Sequence, residues 1–224
     1  MKKKILVIAP HADDEILGCG GAIAKFSKLG HQVFVLILTN ASLGAPELFT
    51  NKEIKNIRDE SLTANKIIGT RKLYFENLPG LILNKYPLYK IANLIEKYIF
   101  KINPNIVFIP SNLDIHSDHK IIFSASKIAL RPNKKLKVEK IFSYEVLSET
   151  EWNENNISFN PNYFISLKKN LIDLKIKSFL KYKSQVKKSP HPRSPEGILN
   201  LSRLRGNHIN EEYCEAFKVE RLID

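Results

Sequence analysis

Short apolar runs, each closed by turn residues, recur along this chain with a segment of helical period between one run and the next. That alternation is the pattern of parallel strands joined by crossover helices, so it points to an α/β fold with a mostly parallel sheet and helices on both faces. The pattern predicts strands at 3–9, 32–38, 72–75, 105–110, 139–146 and 163–167, with helices at 15–29, 53–68, 88–102, 119–130 and 168–185. In the second helix Ile54, Ile57, Leu62 and Ile68 fall only loosely on one face. Residues 39–52 and the three-proline stretch 186–197 lack periodicity, and loops of this length in a compact domain are often lids or binding loops. The tail 198–224 returns to ordered sequence and is expected to pack back on the sheet. At 224 residues the chain makes one domain, long enough to bury roughly 70% of its unfolded surface.

Only two cysteines occur, Cys19 and Cys214, without CxxC spacing, so neither a disulfide framework nor a thiolate metal site is indicated and a reducing cytoplasm is expected. The opening Met-Lys-Lys-Lys imitates a signal peptide. The apolar run behind it stops at Pro10, too short for a signal core or a membrane span, so no integral membrane segment is expected. The formal charge is +12, yet only seven of the 35 basic residues are Arg, the residue suited to gripping phosphates, and the lysines are scattered. A solvated basic surface is the expectation, with no nucleic-acid partner.

The first apolar run ends in Pro10-His11-Ala12-Asp13-Asp14-Glu15 at the start of a helix. A single Asp there would read as a helix cap favoured by the helix dipole, but that explains one carboxylate and not His11 with both. The fourth run, Ile106–Pro110, is followed closely by Asp114-Ile115-His116-Ser117-Asp118-His119. In a doubly wound sheet of order 3-2-1-4-5 the first and fourth strands are neighbours at the switch point, where ligands bind, so the two clusters would face each other. Two neutral imidazoles and a carboxylate with open positions make a catalytic rather than a structural metal site. Zinc is the default, while the ligand types leave Fe2+ or another divalent metal open.

His11-Ala12-Asp13-Asp14-Glu15 resembles the A-H-P-D-D-E signature of the PIG-L/LmbE deacetylases, and His116-Ser117-Asp118-His119 resembles their H-P-D-H. Gly18-Cys19-Gly20-Gly21, the helix around Glu60–Gly69 and Tyr213-Cys214-Glu215-Ala216-Phe217, similar to the family's Y-A-E-A-F, extend the likeness over nearly the whole chain. The resemblance implies one Rossmann-like domain over residues 1–224, with 186–224 as a C-terminal extension packing on the core. It also implies zinc held by His11, Asp14 and His119, and Asp13 as general base toward the attacking water. His116 would stabilise the oxyanion or protonate the leaving amine, and Asp118 would orient His116. The reaction implied is removal of the acetyl group from an N-acetylated amino-sugar conjugate, nucleotide-linked, lipid-linked or a small glycoside, in glycan or glycoconjugate biosynthesis. Ala12 and Ser117 stand where the family has proline, which loosens both loops while every reactive group is kept.

Other features have ordinary explanations. The Gly18–Gly21 stretch suits close helix–sheet packing, because the carboxylates at the preceding turn would repel a dinucleotide pyrophosphate. Cys19 reads as a buried thiol, and His31 and His208 as structural or exposed. Trp152 reads as partial core, though a sugar could stack on it. His191 and Arg193, in the proline-rich segment, are candidates for substrate contact, with Arg193 suited to a phosphate or carboxylate. Two other classes stay open: a metal-bearing sugar-binding protein without turnover, and a metal-dependent phosphoesterase. Homo-oligomerisation is also left open.

Overall fold

The first five strands in chain order are β1 (Lys4–Ala9), β2 (Gln32–Asn40), β3 (Lys72–Pro79), β4 (Ile106–Pro110) and β5 (Lys140–Tyr144). With β6 (Tyr163–Leu167) and β7 (Tyr213–Leu222) they form one sheet of order β3-β2-β1-β4-β5-β7-β6 in a computed structural model describing residues 2–153 and 158–223. Strands β1 to β5 pair in parallel, and β7 runs antiparallel to both its neighbours. The helices are α1 (Asp14–Lys28), α2 (Ala41–Gly44), α3 (Asn51–Ile68), α4 (Leu88–Ile102), α5 (Ser117–Ala129), α6 (Lys169–Phe179) and α7 (Pro195–Asn207).

β1 is a continuous apolar run because both faces of the sheet are covered. Ile5, Val7 and Ala9 join a core with α1, α3, α6 and α7, whereas Leu6 and Ile8 face α4 and α5. None of the described helices is long and apolar enough to cross a membrane. The glycines of α1 serve the close packing expected of them. A Cβ on Gly18 would lie 2.2 Å from the Tyr144 ring, and one on Gly21 2.4 Å from Leu167. Side chains also enter the backbone ladder of α1 there. Glu215 accepts from the Gly21 and Ala22 amides at 2.7 Å each, while Lys175 Nζ donates to Leu17 O at 2.7 Å and to Glu215 at 2.6 Å. This buried pair ties α1 to β7 and α6.

Several expected elements differ in extent. The aperiodic stretch 39–52 holds α2 and the first two residues of α3, whose capping box pairs Thr50 with Glu53. α6 stops at Phe179 instead of reaching 185, because the chain turns to bury Tyr182, whose hydroxyl donates to Glu15. Residues 186–224 do more than lie against the core: α7 contributes Ile198 to it, and β7 sits inside the sheet between β5 and β6.

Candidate active site

The sheet reverses its order between β1 and β4, and both clusters lie at the carboxyl ends of these two strands, as a ligand crevice requires. Beyond β1, the His11 amide donates to Asp14 Oδ2 at 2.8 Å, which folds the turn into α1. Asp13 takes a left-handed backbone, φ 118°, a conformation costing a non-glycine residue roughly 1–3 kcal/mol. The surroundings hold it there. Its amide donates to Glu15 Oε2 at 3.0 Å and its carbonyl accepts from Ile16 and Leu17, the first turn of α1. Glu15 is itself fully buried, with Asn65 Nδ2 at 2.8 Å and the Tyr182 hydroxyl both donating to Oε1.

Beyond β4, His116 caps α5, and its Nδ1 accepts from the Asp118 amide at 3.1 Å. That bond leaves the hydrogen of a neutral His116 ring on Nε2, as a donor. His119, one turn on, points to the β1 side. His11 Nδ1, Asp14 Oδ2 and His119 Nε2 form a nearly equal-sided triangle with edges of 3.2, 3.3 and 3.2 Å. A tetrahedral zinc with bonds of about 2.0–2.1 Å sets its ligand atoms about 3.3 Å apart, so the donor set fits such an ion. Asp14 Oδ1 is buried without a hydrogen-bond partner, a second mark of a cation site. Each histidine of the triangle is backed by a carboxylate on its other nitrogen. His11 Nε2 meets Asp118 Oδ2 at 3.1 Å, and His119 Nδ1 meets Asp114 Oδ2 at 2.6 Å, the outer-shell arrangement that fixes metal-binding imidazoles.

Burial opposes charge throughout the cluster, and the partners decide each outcome. Burial alone would lower His11, but Asp118 and Asp14 outweigh it and lift the ring to about 9. His119 is raised well above the usual histidine range by Asp14 and Asp114, again against burial. Asp14 is held well below the usual carboxylate range because the two imidazoles outweigh its burial. Asp13 is pushed up to about 8 by burial, with Arg193 opposing and Asp14 and Glu15 adding. His116 is pulled down to about 4 by burial and by the neighbouring His11 and His119 charges.

The PIG-L family, described as GlcNAc-PI de-N-acetylase, matches residues 6–130. The chain belongs to this family. Its similarity extends to the uncharacterized deacetylase YaiS of Escherichia coli, 27% identical over 187 residues that cover 82% of this chain and 92% of that protein. A probable N-acetyl-alpha-D-glucosaminyl L-malate deacetylase of Bacillus cereus is 30% identical over 126 residues, 53% of this chain and 57% of that one. Among solved structures, the conserved protein TT1542 of Thermus thermophilus superposes with a TM-score of 0.79 at 25% identity, covering 99% and 96% of the two chains.

In this PIG-L chain His11, Asp13 and His116 line a cavity of about 230 Å³, and the Arg193 side chain reaches it. Arg193 donates from its two terminal nitrogens to Asp13 Oδ2 at 3.3 Å, Gln185 Oε1 at 3.1 Å and Glu149 Oε1 at 3.1 Å, so two carboxylates already face its charge, while its buried Nε has no hydrogen-bond partner among the described residues. His191 is not among the described residues lining the cavity. Its Nδ1 accepts from the Arg193 amide at 3.0 Å and its ring stands edge-on to Trp152. The Asp118 carboxylate turns to His11 and to the Leu81 amide at 2.6 Å, and residue 118 reaches His116 through its backbone N–H alone. Asp114, Glu149 and Gln185 also belong to the site although sequence reasoning assigns them no role. Asp114 is visible as a member of the second cluster, whereas Glu149 and Gln185 carry no local signal.

Proposed function

We propose that the protein is a metal-dependent N-deacetylase acting on an N-acetylated amino-sugar conjugate, with His11, Asp14 and His119 as the metal ligands. The triangle of three donor atoms, with both imidazoles backed by carboxylates, carries this reading. A divalent cation held by His11, Asp14 and His119, zinc by the donor types, would supply polarisation of the amide carbonyl and a water with a pKa lowered to about 7.

The chain's own groups supply the proton transfers. Asp13 lies beside the triangle on the same turn, held by Arg193, and its carboxylate takes the proton of the attacking water. The Nε2–H of His116 donates to the carbonyl oxygen as negative charge gathers there. Asp13 then passes its proton to the nitrogen as the C–N bond breaks, releasing acetate and a free amine. Arg193 holds the Asp13 carboxylate in place through its 3.3 Å hydrogen bond. The likeness to a probable glucosaminyl-malate deacetylase supports an amino-sugar substrate, and a freed amine suits use in glycan or glycoconjugate biosynthesis.

The test is metal analysis of purified protein together with release of acetate and amine from a panel of N-acetylglucosamine conjugates. Equal amounts of both products, abolished by chelation and restored by zinc, are expected. Metal and ligand binding without acetate release would leave a sugar-binding protein instead.

A further inference from the structure

The cavity has two unlike walls. His116, Glu149, Gln185 and Arg193 make one polar, while Ile37, Phe49, Ile54, Ile57, Phe75 and Leu81 make the other apolar. Phe49, Ile54, Ile57 and Leu81 belong to neither hydrophobic core and are only partly covered. On α3 the stripe is continuous: Ala64 and Ile68 pack into the core, and its earlier turns carry Ile54 and Ile57 onto the cavity. This resolves the loose face read from the sequence, since Ile68 serves the core, Ile54 and Ile57 the cavity, and Leu62 lies exposed. The cation on this wall is also engaged. Arg58 Nη2 donates to Glu76 O at 2.6 Å and Asn77 Oδ1 at 2.8 Å, and its guanidinium lies over the Phe75 ring.

We infer that this wall is a subsite for an alkyl or aryl group carried by the substrate, so the protein selects hydrophobic amino-sugar conjugates over phosphorylated or nucleotide-linked ones. The inference rests on the deacetylase reading and names its substrate class. Half-covered apolar side chains facing a concave space release water only when an apolar group fills it, whereas a sugar's hydroxyls or a phosphate would find few free donors there. Arg193, the one residue expected to meet a phosphate, is instead held by Asp13, Gln185 and Glu149. A space of about 230 Å³ lies below the range for drug-sized ligands, so it suits one compact group.

The hydrophobic group has two sources, the aglycone or an acyl chain longer than acetyl, and two arms distinguish them. Dissociation constants are measured with the zinc-loaded His116→Ala protein, which keeps Asp13 on Arg193 while turnover is slowed enough for binding to be read. One arm takes methyl, butyl and phenyl glycosides of N-acetylglucosamine, and the other takes N-acetyl, N-butanoyl and N-hexanoyl forms of methyl glucosaminide. Each buried methylene should tighten binding about fourfold in the arm that reaches the wall. Ile54→Gln with Ile57→Gln, which keeps good helix formers on α3, should flatten that gain toward unity while the melting curve stays cooperative. Flat affinities in both arms, a gain untouched by the α3 substitutions, or tighter binding of sugar phosphates would overturn the inference. Chain-length-dependent binding in a wild-type protein that frees no acetate would uphold the subsite and refute the deacetylase reading. Absence of binding to every conjugate would refute both.

Discussion

Removing the buried pair Glu215–Lys175, first singly and then together, tests whether it stands in for a helical hydrogen bond of α1. Glu215→Leu leaves the Lys175 ammonium enclosed with Leu17 O as its remaining described partner, and Lys175→Met leaves the carboxylate with two amides and no counter-charge. Breaking a buried pair from one side costs about 3–5 kcal/mol. In a domain of this size each kcal/mol moves Tm by roughly 2–4 °C, so each single variant should melt about 6–20 °C lower. The double variant is different. It frees Leu17 O and the Gly21 amide at once, and these are partners four residues apart that can close an ordinary helical bond. Apolar side chains of similar bulk then fill the space, a replacement often neutral for buried pairs. The double variant should therefore melt above both singles, within about 5 °C of the wild type. Thermal unfolding followed by far-UV circular dichroism reads all four proteins. A double variant whose loss equals the sum of the singles would refute the reasoning, because the two side chains would then act independently of the helix ladder between them.

Other outcomes follow from the site. His119→Ala should lose both metal and activity, whereas Asp13→Asn should keep the metal and lose about 10²–10⁴-fold in kcat, as metal analysis beside single-turnover rates would reveal. Glu15→Gln places an amide donor against the Asp13 amide, Asn65 or Tyr182, so kcat should fall while metal content holds, with stability down about 1–3 kcal/mol by denaturant titration. Both histidines of the triangle are raised, His11 to about 9, so near pH 7 a metal binding there would have to displace protons from both rings. Metal affinity should thus weaken as pH falls and strengthen as it rises toward 9, with close to two protons released per ion in calorimetry across buffers of differing ionisation heat. A pH-independent affinity would contradict that sign.

Much of this was legible because it was local. A continuous apolar β1 ending at His11, and β4 ending near His119, told of two strands buried on both faces with chemistry at their carboxyl ends. The unreadable parts depend on direction or distance. Asp118 neighbours His116 in sequence, yet residues two apart at a helix start do not share a face, so its carboxylate reaches His11 instead. Arg193 looked like a free cation because Asp13, Glu149 and Gln185, which neutralise or bind it, come from distant segments. β7 alternates poorly, since Glu215 occupies a buried position whose purpose, pairing with α1 amides and Lys175, exists only once the sheet has formed. The start of α3 was written in the Thr50/Glu53 capping box, a local signal masked by the Gly and Pro before it.

The place of β7 sets a timetable for the nascent chain. β6 finds its sheet partner only in β7, which is made last of the seven strands. At roughly 5–20 residues per second, the ribosome takes about 3–11 s to go from Leu167 to Leu222. Throughout that interval β1 to β5 can pair as they emerge, while the far edge of β5 and the whole of β6 wait with open backbone groups. A chain stalled or cut before Tyr213 would present the Ile141–Tyr144 edge to any other strand nearby. The strand that completes the sheet therefore also covers the β5 edge, and moves the open side of the sheet out to β6.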